Sequence, residues 1–331
     1  MRGAGLKKVI VTEPLHDNGC AILDSRADVQ TVFARGDKQQ VLKHIADAHG
    51  ILVRTMTLSA EDLQLAPQLQ VVSRHGVGCD NIDVAHCTAR SIPVAIATDS
   101  NTISVVEHVI MMMLALNKRA IQYDQITRQG RFAERCLHHT SELYGKHVLI
   151  VGFGRIGKKL APLCQAFGMQ VTVADIALDQ QHARAIGVAT TGDFRALLPQ
   201  TDYLTMHVPL DDSTRGMIGT AELAALPAHA IVINCARGGI VDEQALESAL
   251  VSGAIAAAGA DVFCEEPARA AHPLFQQPAT IFSPHNAAST AEGLSRMASY
   301  SAQNILDAFD GQLPADRMIN PTVLTSHQVS H

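Results

Sequence analysis

The feature that most constrains this chain is a Gly-x-Gly-x-x-Gly turn set between an apolar run and a helical pattern. The apolar run covers residues 148–151, the turn covers 152–157 and the helical pattern covers 158–167. A second apolar run, 171–174, ends at Asp175. Strand, glycine turn, helix, strand and acid in this order are typical of a βαβ unit that binds a dinucleotide.

Each position in this unit has a chemical reason. Gly152 permits the tight turn, Gly154 leaves room for a pyrophosphate, and Gly157 lets the helix pack against the strand. Asp175, about 20 residues further on, can accept hydrogen bonds from ribose hydroxyls. The two residues after this acid are uncharged, so the sequence favours NAD over NADP. A purely structural glycine turn is the alternative.

Composition excludes several other classes of protein. The net charge is −6 over 331 residues, which gives no basic surface for nucleic acid. Seven cysteines without a Cys-x-x-Cys pair predict free thiols, and neither a signal peptide nor a membrane span is expected. His138 and His139 have no carboxylate at ligand spacing, so they are interpreted as a loop pair and no metal site is predicted. We expect a cytoplasmic protein.

Strand-like and helical segments alternate along both halves of the chain, which predicts an α/β protein with parallel sheets. A nearly uninterrupted helical pattern over 102–129 predicts one long helix joining two domains. A last helix over 287–311 is expected to lead back to the first domain. Strands are predicted at 9–12, 29–33, 50–53, 69–73, 93–97, 148–151, 171–174, 203–208, 230–235, 256–261 and 280–283.

Polar residues just after these strands are candidates for chemistry, since ligands bind beyond the carboxyl ends of parallel strands. Arg237, which precedes two glycines, could hold a carboxylate bidentately or form an ordinary salt bridge. His285 follows the last strand and Glu266 follows the strand before it. A histidine paired with a carboxylate can exchange a proton with an alcohol or ketone near neutral pH.

Further strand-end residues could contact a dinucleotide. Asp261 could accept a hydrogen bond from a nicotinamide carboxamide, or it could only cap a loop. His207, Val208 and Pro209 end the 203–208 strand and could line the adenosine side. Thr214 could touch the same region or cap its loop.

Six motifs in order resemble the D-isomer-specific 2-hydroxyacid dehydrogenase family, most nearly its phosphoglycerate-dehydrogenase-like branch. They lie at 78–83, 101–108, 152–157, 234–239, 261–267 and 283–287 and span nearly the whole chain. The resemblance implies two Rossmann-like doubly wound parallel-sheet domains. A substrate (catalytic) domain of 1–101 plus 292–331 would be split by an inserted NAD-binding domain of 102–291, and homodimers would form around the helix after Asn101.

The resemblance also implies residue roles. Arg237 would bind the substrate, Glu266 would tune the histidine, and His285 would be the acid/base. Backbone groups around Val77 and Gly78 would help to hold the substrate, with Val77 near the nicotinamide. The implied NAD contacts are Arg155, Ile156, Asp175, Val208, Cys235, Ala236, Asp261 and His285.

The function implied is hydride transfer between NAD(H) and a D-2-hydroxy acid or 2-keto acid. Formate dehydrogenases have glutamine where this chain has Glu266, which argues against formate. Arg54, Arg74 and Arg135 match positions that face a distal phosphate in phosphoglycerate dehydrogenases. They favour 3-phosphoglycerate or 3-sulfolactate over hydroxypyruvate or glyoxylate, unless they are surface or hinge residues. An NAD(H)-sensing co-regulator remains the alternative from another class, and no feedback control through a C-terminal regulatory domain is expected.

Overall fold

The computed structural model describes residues 5–137 and 139–326, so the prediction about His138 lies outside it. The chain divides into two compact units, Met1–Asn101 with Ser289–His331, and Thr102–Ala288. The strands are β1 (Lys7–Val11), β2 (Val29–Phe33), β3 (Gly50–Val53), β4 (Val71–Arg74), β5 (Val94–Ile96), β6 (His147–Val151), β7 (Gln170–Ala174), β8 (Ala189–Thr191), β9 (Tyr203–Met206), β10 (Ile231–Asn234), β11 (Ala257–Ala260) and β12 (Thr280–Phe282).

Helices alternate with these strands, and short 3-10 turns occupy Ile45–Asp47, Phe132–Glu134, Arg195–Gln200, Pro273–Gln276 and Ala315–Arg317. The α-helices are α1 (Asp17–Asp24), α2 (Lys38–His44), α3 (Ala60–Gln64), α4 (Val84–Ala89), α5 (Thr102–Asn117), α6 (Ala120–Arg128), α7 (Arg155–Ala166), α8 (Gln180–Ala185), α9 (Thr220–Ala225), α10 (Glu243–Ser252), α11 (Ala291–Phe309) and α12 (Val323–Ser326).

The first unit is a parallel five-stranded sheet of order β2-β1-β3-β4-β5. Its strand order reverses between β1 and β3, which is the usual place for a ligand crevice in a doubly wound sheet. Helix α11 packs on this sheet: Asn304 donates to the Ile96 carbonyl at 2.9 Å and Ser73 donates to the Ser301 carbonyl at 2.8 Å. The last helix therefore returns to the first unit, as the sequence predicts.

The second unit is a parallel seven-stranded sheet of order β12-β11-β10-β9-β6-β7-β8. Strands β6, β9, β10 and β11 are almost entirely buried, because helices cover both faces of a parallel sheet and their sequences are correspondingly apolar. The strand order reverses between β6 and β9. The glycine turn follows β6, so it lies at this reversal.

Two predicted elements differ from the structure, and one strand was not predicted. The long helix over 102–129 is wrong: it divides into α5 and α6 at Arg119, which has a left-handed φ of 50°. The last helix begins at Ala291 with Thr290 as its N-cap, rather than at 287. Strand β8 was not predicted, because it has only three residues, which are mostly exposed and show no alternation of apolar and polar side chains.

The other predicted strands are confirmed to within one or two residues. Within the described residues, no helix is long and apolar enough to cross a membrane. Nor do those residues bring three potential ligands together in a group that could hold a metal ion.

Candidate active site

The glycine turn packs in a way that only glycine permits. Gly152 has a φ of 104°, and a Cβ there would lie 2.5 Å from the His207 carbonyl oxygen. At Gly157 a Cβ would lie 2.1 Å from the Gly152 carbonyl oxygen. At Gly154 a Cβ would have no described atom within 4 Å, so this position opens onto space. Gly152 and Gly157 are thus tightly packed, while Gly154 between them faces open space, as the approach of a pyrophosphate requires.

Helix α7 begins at Arg155, directly after the turn. Its N-cap is Gly154, and no side chain of the described residues caps the helix there. Helix N-termini present N–H donors and partial positive charge to anions. Arg155 and Ile156, which the family resemblance assigns to the cofactor, therefore begin a helix suited to bind phosphate.

Asp175 follows β7 and is tied to the same turn. Its Oδ2 accepts the Phe153 N–H at 2.6 Å, and its Oδ1 accepts the Ala177 N–H at 2.8 Å. These two bonds fix the carboxylate beside the glycine turn. Ile176, next in the chain, is fully exposed.

The loop after β9 carries four of the predicted cofactor residues. His207 is bonded through Nε2 to the Thr205 hydroxyl at 3.0 Å, and burial lowers the pKa of His207 to about 3. The ring is therefore neutral at physiological pH. The Val208 side chain packs close to Gly152, since a Cβ added at that glycine would lie 3.1 Å from Val208 Cγ1. Thr214 donates to the Pro209 carbonyl at 2.7 Å and so closes the loop, which is the capping role that the sequence left open.

Arg237 lies in a turn held by Asn234, the last residue of β10. Asn234 donates to the Arg237 carbonyl at 2.9 Å and accepts the Ala236 N–H at 3.1 Å. Cys235 and Ala236, the two central residues of this turn, are buried. The Arg237 guanidinium donates to the Ala236 carbonyl at 2.7 Å, which orients the side chain at the carboxyl end of β10.

The side chains of Glu266 and His285 are in direct contact. Nδ1 of His285 lies 2.7 Å from Oε2 of Glu266, with side-chain exposures of 50% and 35%. The other carboxylate oxygen, Oε1, accepts the Phe263 N–H at 3.0 Å. Burial raises the pKa of Glu266, but the His285 and Phe263 hydrogen bonds and the charge of Arg237 lower it below its ordinary value. The carboxylate therefore stays ionised and holds the imidazole by Nδ1.

Asp261, just after β11, organises the turn that carries His285. Its carboxylate accepts the Ser283 hydroxyl at 2.6 Å and the N–H groups of Asn286 and Ala287 at 2.9 and 3.0 Å. The Asp261 side chain is 2% exposed. His285 itself has a left-handed φ of 50°. In the described structure Asp261 thus caps this turn, one of the two roles that the sequence allowed.

In the first unit Arg54 follows β3, Arg74 is the last residue of β4, and Val77 and Gly78 come after it. Glu13, after β1, accepts the N–H groups of Arg54, Thr55 and Met56 at 2.9, 2.6 and 2.7 Å. Within the described residues, no hydrogen bond or ion pair engages the Arg54 guanidinium. The acid therefore fixes the backbone of this loop while the arginine side chain stays available.

Arg74 is placed differently. Its Nε donates to the Gly78 carbonyl at 2.8 Å, and Nη1 donates to the His75 carbonyl. These hydrogen bonds hold the guanidinium against the loop that contains Val77 and Gly78. His75 is 4% exposed, and burial together with the charges of Arg54 and Arg74 lowers its pKa to about 4. Arg135, in the second unit, is exposed beside the Phe132 ring at 5.8 Å.

Apart from Arg135, the predicted residues of the second unit thus lie along one edge of one sheet, from Asp175 after β7 to His285 after β12. Sequence reasoning missed the residues that hold them in place. In the second unit those are His108, Asn234, Glu243, His272 and Ser283, and in the first unit Glu13 has this role. His108 lies 2.8 Å from the Ser283 hydroxyl, at a distance of 175 residues along the chain, and no local pattern predicts such a pairing.

These features define a dinucleotide-binding α/β protein with a carboxylate–imidazole pair at the edge of its sheet. A sequence model of the D-isomer specific 2-hydroxyacid dehydrogenase family, NAD binding domain, matches residues 110–287. The chain belongs to this family, in its phosphoglycerate-dehydrogenase-like branch.

Curated relatives support that placement. The D-3-phosphoglycerate dehydrogenase of Methanocaldococcus jannaschii is 37% identical over 314 residues, which cover 95% of this chain and 59% of the relative. That of Bacillus subtilis is 38% identical over 322 residues, covering 97% and 60%. This chain therefore spans about three fifths of the length of these relatives.

Solved structures share the fold. The TT0316 protein from Thermus thermophilus matches with a TM-score of 0.86 and 27% identity, over 94% of this chain and 99% of that one. An NADPH-dependent glyoxylate/hydroxypyruvate reductase from Sinorhizobium meliloti matches with a TM-score of 0.85 and 28% identity, over 96% and 98%.

Proposed function

We propose that the protein is an NAD-dependent D-2-hydroxyacid dehydrogenase, with Arg237, Glu266 and His285 as its catalytic residues. The observation that carries the proposal is the 2.7 Å contact between His285 Nδ1 and Glu266 Oε2. It leaves the half-exposed imidazole with Nε2 unpartnered among the described residues. A histidine held at one nitrogen by a carboxylate and open at the other is suited to general acid–base catalysis.

The roles follow from the chemistry of each group. Oxidation converts a 2-hydroxy acid and NAD⁺ into a 2-keto acid, NADH and a proton, and bound NAD⁺ supplies the hydride acceptor. His285 takes the hydroxyl proton on Nε2 and returns it in the reverse direction. The ionised Glu266 stabilises the resulting imidazolium, and Arg237 holds the substrate carboxylate.

The preferred cofactor is NAD. The carboxylate of Asp175 is fixed beside the glycine turn, where a 2′-phosphate would meet a negative charge. Lys158, one turn into α7, is paired with Asp179 at 2.6 Å. The Sinorhizobium meliloti reductase is described as NADPH-dependent, so the ratio of turnover with NADH and NADPH is the measurement that decides.

The substrate is proposed to have a second anionic group, as 3-phosphoglycerate and 3-sulfolactate do. The support is Arg54, whose backbone is fixed by Glu13 while its guanidinium has no hydrogen bond or ion pair within the described residues. Arg74 fits this role less well, since its guanidinium holds carbonyls of its own loop. Its proposed part is to shape the segment around Val77 and Gly78.

NADH absorbance measured with a panel of 2-keto acids tests the activity. The panel contains 3-phosphohydroxypyruvate, 3-sulfopyruvate, hydroxypyruvate and glyoxylate. We expect turnover with the acids that carry a second anion, and a fall in kcat of about 10²–10⁴-fold in His285→Ala with NADH affinity largely kept. Tight NADH binding without turnover of any acid would contradict the proposal and favour a sensor of NAD(H).

Arg54→Ala separates the substrate proposal from the activity. Loss of a charge-assisted contact should lower kcat/KM for 3-phosphohydroxypyruvate about 10- to 100-fold while sparing glyoxylate. Equal losses on both acids would exclude a distal-anion role and leave a general dehydrogenase or a hydroxypyruvate/glyoxylate reductase.

The remaining expectations stay proposals. Residues 102–291 would bind NAD, in keeping with the family match over 110–287, and 1–101 with 292–331 would bind the substrate.

All seven cysteines are free, which favours a reducing compartment such as the cytoplasm. A homodimer through α5 is supported by an apolar surface formed by Ile110, Met111, Leu114, Leu163 and Phe167.

A further inference from the structure

A second carboxylate–imidazole pair lies behind the loop that carries Glu266. Nε2 of His272 is 3.2 Å from Oε2 of Glu243, and these side chains are only 16% and 22% exposed. Glu243 is the first residue of α10, whose N-cap is Asp242. The carboxylate of this pair is therefore held on a regular helix, whereas His272 directly precedes the 3-10 turn Pro273–Gln276.

The two carboxylates bind successive backbone N–H groups. Glu266 accepts the Phe263 N–H through Oε1 at 3.0 Å and contacts His285 through Oε2. Glu243 accepts the Cys264 N–H through Oε1 at 2.7 Å and contacts His272 through Oε2. Each carboxylate thus spans one amide and one imidazole. The Phe263–Cys264 segment is therefore held at two successive backbone N–H groups by two different carboxylates.

The proton positions on His272 follow from its surroundings. Nδ1 is buried and has no hydrogen-bond partner among the described residues. Nε2 therefore donates to Glu243, since a carboxylate can only accept. The ring is also packed, with centroids 5.5 Å from Phe263 and 5.1 Å from Phe275. His272 consequently fixes the direction in which the Glu243 carboxylate points.

The same peptide touches the turn of Arg237. A Cβ at Gly238 would lie 1.9 Å from the Phe263 carbonyl oxygen, so the two backbones are in direct contact. A displacement of the Phe263–Cys264 peptide would therefore disturb both the hydrogen bond to Glu266 and the turn after β10. Catalysis is sensitive to such displacements, because an error of about 1 Å can cost about 100-fold in rate.

We propose that Glu243 and His272 are positioning residues that hold the Cys264 amide and thereby aim Glu266 at His285. The inference rests on the proposed function, in which Glu266 and His285 carry out the proton transfer. Neither Glu243 nor His272 contacts His285 in the described structure, so they act only through the 263–264 peptide and the glutamate beside it.

The test uses the full chain with NADH and 3-phosphohydroxypyruvate, and hydroxypyruvate as a second probe. Glu243→Ala should lower kcat about 10- to 100-fold. The Kd for NADH, measured by fluorescence, should change less than about twofold, because neither residue of this pair is among the proposed NAD contacts. Glu243→Gln should keep most of kcat, since its amide can still accept from Cys264 and donate to His272 in the other tautomer. Glu247→Ala, a matched loss of charge one turn along α10, should leave kcat unchanged.

His272→Phe provides a second route if Glu243→Ala does not fold. It keeps an aromatic ring in the cluster but removes the donor to Glu243, so kcat should again fall with NADH affinity kept. Thermal unfolding of each variant reports whether the fold is retained.

A double-mutant cycle with Glu266→Gln identifies the route of the effect. If Glu243 acts through Glu266, Glu243→Ala should cost little further activity in the Glu266→Gln background. Additive losses, or a kcat for both Glu243→Ala and His272→Phe within about twofold of the parent, would overturn the inference. Retained turnover in His285→Ala and Glu266→Gln would instead overturn the proposed function, and the two failures are thereby distinguished.

Discussion

At the scale of single residues, Asp261 shows how one buried carboxylate can shape a site. It receives three donors from the turn at 283–287. The serine hydroxyl has one hydrogen and donates it to Asp261. The contact of 2.8 Å between His108 Nε2 and the same hydroxyl is therefore a donation from His108. A relay thus runs from α5 through Ser283 to Asp261, and it holds His285 in its left-handed conformation.

Asp261→Asn should damage both stability and turnover. The amide would place an N–H₂ group against N–H donors in a buried position, and hydrogen bonds to a charged acceptor contribute about 1.5–3 kcal/mol each. We expect a loss of about 2 kcal/mol in the free energy of unfolding, measured in urea, and a lower kcat. The exposed Asp212→Asn is the matched control. Unchanged stability and kcat in Asp261→Asn would show that the turn does not depend on this carboxylate.

At the scale of elements, the sequence predicted what repeats locally. An apolar run, three glycines and a helical period predict strand β6, the glycine turn and α7. Once the sheet is taken as parallel, the residues at the carboxyl ends of β10 and β12 are predicted to lie at the site. The break between α5 and α6 was not predictable, because Arg119 is neither glycine nor proline, the usual signals of a break. The pairing of Glu243 with His272 across 29 residues depends on tertiary packing, which no local pattern encodes.

The loop after β3 provides a prediction with a definite pH dependence. Burial raises the pKa of Glu13, but hydrogen bonds from the hydroxyls of Thr12 and Thr55 and from the N–H groups of Arg54 and Thr55 lower it below its ordinary value. An acid with a lowered pKa in the folded state contributes stability above its unfolded pKa. That contribution is lost as the pH falls through the folded value.

Glu13→Gln should therefore destabilise the protein at pH 7 by about 2 kcal/mol, because charged acceptors are replaced by a neutral amide. The difference from the parent protein should begin to shrink below about pH 4.5, where the unfolded chain takes up the proton, and should disappear once the pH falls below the lowered pKa of Glu13 in the folded protein. Urea unfolding at pH 7 and pH 3.5 measures both quantities, with Asp17→Asn as a surface control. A difference that stays constant with pH would rule out the ionised carboxylate as the stabilising group.

At the scale of the whole molecule, the proposed dimer explains an apolar surface that a single chain leaves in water. Met111, Leu163 and Phe167 are each about two fifths exposed, and they lie together with Ile110 and Leu114 on α5, on α7 and at the residue that follows α7. Their neighbours Met112 and Met113 are fully buried in the core, so α5 is apolar around most of its circumference. Contiguous exposed apolar surface of this kind marks an interface, and a second copy of the chain is the partner that family resemblance implies.

Met111→Glu and Leu163→Glu should convert the dimer into monomers, since each would bury an unpaired charge at the interface. Both side chains are exposed in one chain, so the fold of the protomer should survive, with thermal unfolding as the check. Light scattering after size exclusion should report two chains for the parent and one for the variants. Val251→Glu, at a residue 68% exposed on α10, is the control and should remain dimeric.

If the parent protein elutes as one chain at all concentrations, the proposal of a dimer is wrong. If the variants instead keep two chains, the interface lies elsewhere, because a buried unpaired charge would cost several kcal/mol at this surface.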